Sequence, residues 1–268
     1  MEEFQIRNDN EILCNKMITN SKKHHYLYHY TSYQTLIKIL KNNSFMFNRT
    51  DFVNDLIERE RIVKGSTESF VSCYTHNKKE SIPMWLLYAK KDGVRIGFKN
   101  KLIFDNQRVY YYKNDQKIYF EKKAISSNKI PSNIIKVYNG YIEASNPFRI
   151  DIIYSNDKLK NQFCFEDQGI QEQYPYIQVG IKSNPWEYEK ETRYFIGTSI
   201  FERLNIEKLY CEFSDFFYNG LEIVWNPIMK NKNEKIQEIK TILGKSNTNI
   251  ISFKDSELQD KISQSFIE

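Results

Sequence analysis

Leu27-Tyr28-His29-Tyr30-Thr31-Ser32 runs directly into Tyr33-Gln34-Thr35-Leu36-Ile37-Lys38-Ile39-Leu40, and the joint between the two runs decides how the rest is read. The first run is rich in strand-favouring residues. In the second, Leu36, Ile37, Ile39 and Leu40 form a helical apolar stripe, Ser32 is a natural N-cap, and Asn42-Asn43 closes the helix. A strand therefore switches to a helix at Ser32. His29, one of four histidines, falls at the exposed end of that strand, where backbone and side chain can both reach a ligand. Two readings stand here. His29 is either a half-buried side chain that seats the helix, or a ligand group whose partners lie elsewhere.

Working outward, Ser44 to Thr50 reads as a strand, and Asn54 or Asp55 caps a helix over Leu56 to Val63. Ser69 to Thr75 is the next strand. Ser81-Ile82-Pro83 opens a short helix with Met84, Trp85, Leu87 and Tyr88 as its apolar body, the spacing of core residues. Asp92-Gly93 turns into a strand over Val94 to Phe98. Strands are expected at Arg108 to Tyr112, Tyr176 to Lys182, Glu191 to Ile196, Leu221 to Trp225 and Asn249 to Phe253. A helix is expected over Asn233 to Leu243, stopped by Gly244. Residues 115–175 give no clear order. Short helices inserted irregularly between strands do not suit a doubly wound sheet. The expected class is α+β: mostly antiparallel strands in one or two sheets with short inserted helices, in one elaborated domain.

The 268 residues are 40% apolar and 15% aromatic, a globular composition. The net charge of +5 comes from 39 basic and 34 acidic side chains. The basic clusters are short and scattered, so they argue only weakly for a polyanionic partner. Cys14, Cys73, Cys164 and Cys211 form no CxxC pair. Nothing at the start has the basic-then-apolar order of a signal peptide, and no window approaches a membrane span. The expectation is a cytoplasmic protein with reduced thiols and no membrane partner.

Common nucleotide, zinc-protease and hydrolase motifs are missing. The histidines are dispersed, and adjacent His24-His25 point to opposite sides of an extended chain, poor geometry for a metal cage; no metal site is expected. What remains is a set of polar residues at the edges of apolar segments: His29 with Thr31, Asn54-Asp55 with Glu58, Ser72-Cys73, and Trp186-Glu187-Tyr188-Glu189-Lys190-Glu191-Thr192-Arg193. If the last is extended, its three carboxylates share one face. Crowding raises a carboxylate pKa. The plainer reading is a solvated acidic edge neutralised by Arg193.

These segments together resemble a widespread bacterial family of unknown function. Its members carry HYT, ND, an SC-aromatic strand, WxxY, GVxxGF and ExExR in this order, here from about residue 26 to about residue 255. Leu27 to Phe45 is also similar to the opening of ADP-ribosyltransferases of the DNA-modifying toxin type. That resemblance implies an ADP-ribosyltransferase-like fold and NAD as substrate. His29 would bind the ribose hydroxyls and Glu191 would be the late-strand glutamate, with Glu189 its competitor. Tyr30 and Thr31 would line the nicotinamide side, and Arg49 would stand for the toxins' arginine. It further implies a toxin or phage-defence effector with a nucleic-acid or protein acceptor and an antitoxin or operon partner.

Three functions follow as expectations. One is NAD cleavage at the nicotinamide–ribose bond. Another is a non-catalytic nucleotide or nucleic-acid binding module. The third is a metal-dependent nuclease built on Asp55, Glu58 and Glu191.

Overall fold

A computed structural model describes residues 2–53, 68–100, 103–105, 107–120, 143–144, 147–155, 176, 179–199, 206–247 and 251–261. The helix expected over Leu56 to Val63, together with Asn54, Asp55 and Glu58, lies outside the described residues, as does Cys164.

The chain is α+β, with strands predominating. In order come α1 (Glu2–Ser21), β1 (Tyr26–Ser32), α2 (Tyr33–Asn42), β2 (Ser44–Arg49), β3 (Glu68–Thr75), β4 (Gly93–Lys99), β5 (Val109–Lys113), β6 (Gln116–Tyr119), β7 (Glu143–Ala144), β8 (Phe148–Asp151), β9 (Ile153–Tyr154), β10 (Ile181–Lys182), β11 (Glu191–Ser199), β12 (Lys208–Glu212), β13 (Glu222–Trp225), α3 (Lys232–Asn247) and β14 (Ser252–Lys254). Among the described residues twelve strands form one sheet, in the order β14-β13-β4-β1-β3-β2-β12-β5-β6, with β11 branching from β3 and carrying β7 and β8. Its pairings are antiparallel except β13 with β14; β9 and β10 form a separate parallel pair.

Local chemistry accounts for the β1-α2-β2 unit. Ser32 caps α2 by accepting from the Thr35 amide, and Asn43 ends it in the left-handed conformation at φ 49°. Leu36, Ile37, Ile39 and Leu40 are all buried. Removing each such side chain from water contributes roughly 1.5–3 kcal/mol. They pack into an aromatic core in which Phe45 touches Tyr74, Phe98, Phe104, Phe213 and Phe217. Gly93 starts β4 where a Cβ would meet the Ala89 carbonyl oxygen at 2.2 Å, so no side chain fits at this turn.

Several segments differ from the sequence reading. Helix α1 and strand β12 had no expected counterpart. Among the described residues of Tyr176 to Lys182, Ile181–Lys182 is the strand. The segment after Ser81 is one α-helical turn, Ile82–Met84, continuing as a π-helix over Trp85–Ala89. Trp85 is core, but Leu87 is exposed. Gly244 breaks α3 with φ 67°, and helical residues resume beyond it.

Candidate functional site

Strand β3 has two different edges. Along one, all of Glu68 to Thr75 is matched to β11, from Thr198 through Glu191. On the other, Thr75 pairs with Tyr28 of β1, while Val71 and Phe70 pair with Asn48 and Arg49 of β2. β1 and β2 thus meet β3 only at its two ends and splay away between them. The sheet forks at Ser72, Cys73 and Tyr74. A cleft of about 390 Å³ fills the fork.

His29 closes part of the gap. Its Nδ1 lies 3.0 Å from the Cys73 carbonyl oxygen. A carbonyl only accepts, so Nδ1 carries the proton and Nε2 the lone pair. Nε2 has no partner among the described residues. Burial lowers the His29 pKa, and the Cys73 bond opposes this only in part, so the ring is neutral at pH 7. Phe45 and Tyr74 pack around the ring, which stays partly accessible from the cleft.

The wall opposite β1 is charged. Arg193 donates Nε to Glu191 Oε1 at 2.7 Å and a second nitrogen to Oε2 at 3.1 Å. Lys182 Nζ bridges Glu189 Oε2 at 2.6 Å and Glu191 Oε2 at 3.1 Å. Tyr88 donates to the other oxygen of Glu189. All four charged groups are at most 5% exposed. Burial opposes ionisation of Glu191, but Arg193 and Lys182 overcome it and hold its carboxyl far below the usual range. At Glu189, burial and then repulsion from Glu191 win over Lys182, and the pKa is raised. Two neighbouring carboxylates thus have their proton affinities pushed apart, the pattern of an acid–base pair. Burial and Glu191 push the Cys73 thiol well up, which leaves it a poor nucleophile.

The structure brings His29, Tyr30, Thr31, Glu189 and Glu191 to the wall of one cleft. Tyr30 keeps its hydroxyl on the Ser81 amide at 3.1 Å, and burial pushes its pKa up to about 12. Arg49 is not among the cleft-lining residues. It forms a two-point ion pair with Asp51 at 2.7 and 2.8 Å and lies over the Phe52 ring. The three carboxylates do not share a face. Pro185 starts a 3-10 helix over Asn184–Glu189, which sends Glu187 outward to pair with Lys190 while Glu189 turns in. Tyr88, expected in the core, lines the cleft as well as packing on Trp85's cluster.

Sequence reasoning missed Lys182. An alternating apolar segment gave no sign that this lysine would be buried between two glutamates. It also missed that His24 and His76 stack with ring centroids 3.9 Å apart beside Asp151. His25 is exposed, consistent with His24 and His25 facing opposite ways.

Among the described residues no helix is long and apolar enough to cross a membrane. No curated protein and no solved structure matches the chain. Residues 84–194, which carry Tyr88, Lys182, Glu189, Glu191 and Arg193 but not the β1 wall, match a family of proteins of unknown function (DUF2971).

Proposed function

We propose that the cleft binds NAD and cleaves its nicotinamide–ribose bond, in the manner of an ADP-ribosyltransferase. The observation that carries this reading is one cleft lined by a neutral histidine at the middle of β1, not at the strand end expected from the sequence, whose Nε2 has no partner among the described residues, and by two buried carboxylates of divergent proton affinity. Its volume is at the lower end of the range of about 300–1,000 Å³ for small-molecule sites. It takes the nicotinamide riboside half, and the remainder passes over the rim by Met46 and half-exposed Phe52.

His29 Nε2 accepts a hydrogen bond from a ribose hydroxyl. When the C1′–nitrogen bond breaks, its electron pair goes to the cationic nicotinamide ring, which leaves neutral and needs no general acid. Positive charge moves onto the ribose, as in glycoside cleavage. The ionised Glu191 faces that charge. An acceptor hydroxyl, from water or a macromolecule, forms the new C1′–oxygen bond and gives its proton to Glu189, whose raised pKa suits a base.

A second reading, non-catalytic nucleotide binding, is favoured by one fact: both oxygens of Glu191 are already held by Arg193 and Lys182, which offset its charge. Nicotinamide release separates the two. Under the catalytic reading, wild-type protein releases nicotinamide, Glu191→Gln loses on the order of 10²–10³-fold, and Glu189→Gln loses much less because nicotinamide leaves before the acceptor's proton is transferred. Under the binding reading NAD is retained without release. Absence of both release and binding overturns both.

A further inference from the structure

We propose that His24, His76 and Asp151 form a binding site for one divalent transition-metal ion of the zinc type. Each offers one ligand atom, and these atoms lie within 4.8 Å of one another. Two imidazole nitrogens and one carboxylate oxygen are the donor set of zinc and its first-row neighbours rather than of magnesium or calcium, which take oxygen. No part of this set touches the cleft chemistry, so the inference stands or falls apart from the NAD reading.

Hydrogen bonding already sets the ligands. Asp151 is 6% exposed, and its Oδ1 accepts from the Thr192 hydroxyl at 2.6 Å. That spends the one Thr192 proton, so at 3.0 Å Thr192 Oγ1 accepts from His76 Nδ1–H. Nε2 of His76 then keeps its lone pair. A second group that fixes the imidazole tautomer and holds the carboxylate is the arrangement that surrounds metal-bound histidine. Asp151 Oδ2 is 2.8 Å from His24 Nε2, so a metal replaces the proton shared there.

The backbones that carry the ligands are pinned as well. The His76 amide donates to the Lys190 carbonyl at 3.0 Å, and Asn100 donates to the His24 carbonyl at 3.1 Å. Ser21, at the end of α1, donates to the Arg149 carbonyl of β8 at 3.0 Å. Asp151 pairs in register with Thr192. Three segments distant in sequence are thereby held close together, and the parallel stack of the two rings, 3.9 Å between centroids, opens by rotation of the partly exposed His24 so that both in-plane nitrogen lone pairs reach one ion. Three protein ligands leave further positions to water on the side of His24, whose side chain is 24% exposed. Thr192 lies between Glu191 and Arg193, so the ion braces the strand that carries the charged wall of the cleft.

The test uses the full chain, stripped with a chelator and dialysed separately against Zn²⁺, Co²⁺ and Mg²⁺. The expected result is one Zn²⁺ or Co²⁺ per chain by elemental analysis, visible d–d absorption for Co²⁺, no Mg²⁺ retained, and a raised Tm with Zn²⁺. His24→Ala, at a half-exposed loop position, keeps the circular dichroism of the wild type but retains no metal. Thr192→Val weakens Zn²⁺ about 10–100-fold. Wild type that takes up neither Zn²⁺ nor Co²⁺, or His24→Ala that holds as much as wild type, overturns the site.

Discussion

The two walls of the cleft solve opposite problems. On β1, His29 is uncharged and one of its ring nitrogens has no partner among the described residues, so this wall is arranged to receive something. On β11 and the segment before it, Lys182, Glu189, Glu191 and Arg193 neutralise one another at 5% exposure or less. A buried charge that loses its partner is penalised far more than one exposed to water. The second wall is therefore part of what holds the sheet together, and only the first can be altered cheaply. Losses of ligand binding with intact folding should map to β1, and losses of both to β11.

The largest expected effect breaks the charged wall. Arg193→Met leaves Glu191 buried with Lys182 alone and should destabilise by about 3–5 kcal/mol in urea unfolding. A change below 1 kcal/mol would mean the network is solvated and the contrast between the walls is wrong. Trp85→Ala is a comparison of similar size at a residue outside the four-charge network. This fully buried indole donates to Glu80 at 2.9 Å, and its loss should cost about 3–5 kcal/mol.

The pH dependence sharpens the contrast between the carboxylates. The depressed Glu191 pKa contributes stability that is present above its unfolded value near 4.3 and is lost as pH falls through the folded value. The raised Glu189 pKa contributes stability that is full below that same unfolded value and is lost as pH rises through the folded one. Glu191→Gln should therefore flatten the decline of unfolding free energy below about pH 4, by up to about 1.4 kcal/mol per pH unit. Equal slopes for variant and wild type would contradict the assigned direction. The smallest effect is Ser32→Ala. It removes the N-cap of α2 and should cost about 1 kcal/mol without changing the β11 wall.

What could be read from the chain follows from how local each cause is. Ser32, the stripe from Leu36 to Leu40 and the Asn43 cap act within a few residues, and β1-α2-β2 was legible. So was the pairing of Arg193 with Glu191, two apart on one strand. The fork was not, because it depends on Tyr28 and Asn48 reaching the same edge of β3 from either side of α2. Helix α1 was missed because its sequence is mostly polar; Cys14 and Met17 are buried only once a distant layer holding Ile150 and Phe195 is in place. Glu187 and Glu189 were placed together because alternation assumes an extended chain, and Pro185 with the 3-10 helix overrides it. His24, His76 and Asp151 lie in segments with no mutual sequence signal.

The most direct measurement is calorimetric titration of NAD into wild-type protein and His29→Ala, with urea unfolding of both. The account predicts that wild type binds, that His29→Ala binds at least about tenfold more weakly, and that the two differ in stability by no more than about 1 kcal/mol, the order of one neutral hydrogen bond. Equal binding by the two proteins, or none by wild type, would contradict it.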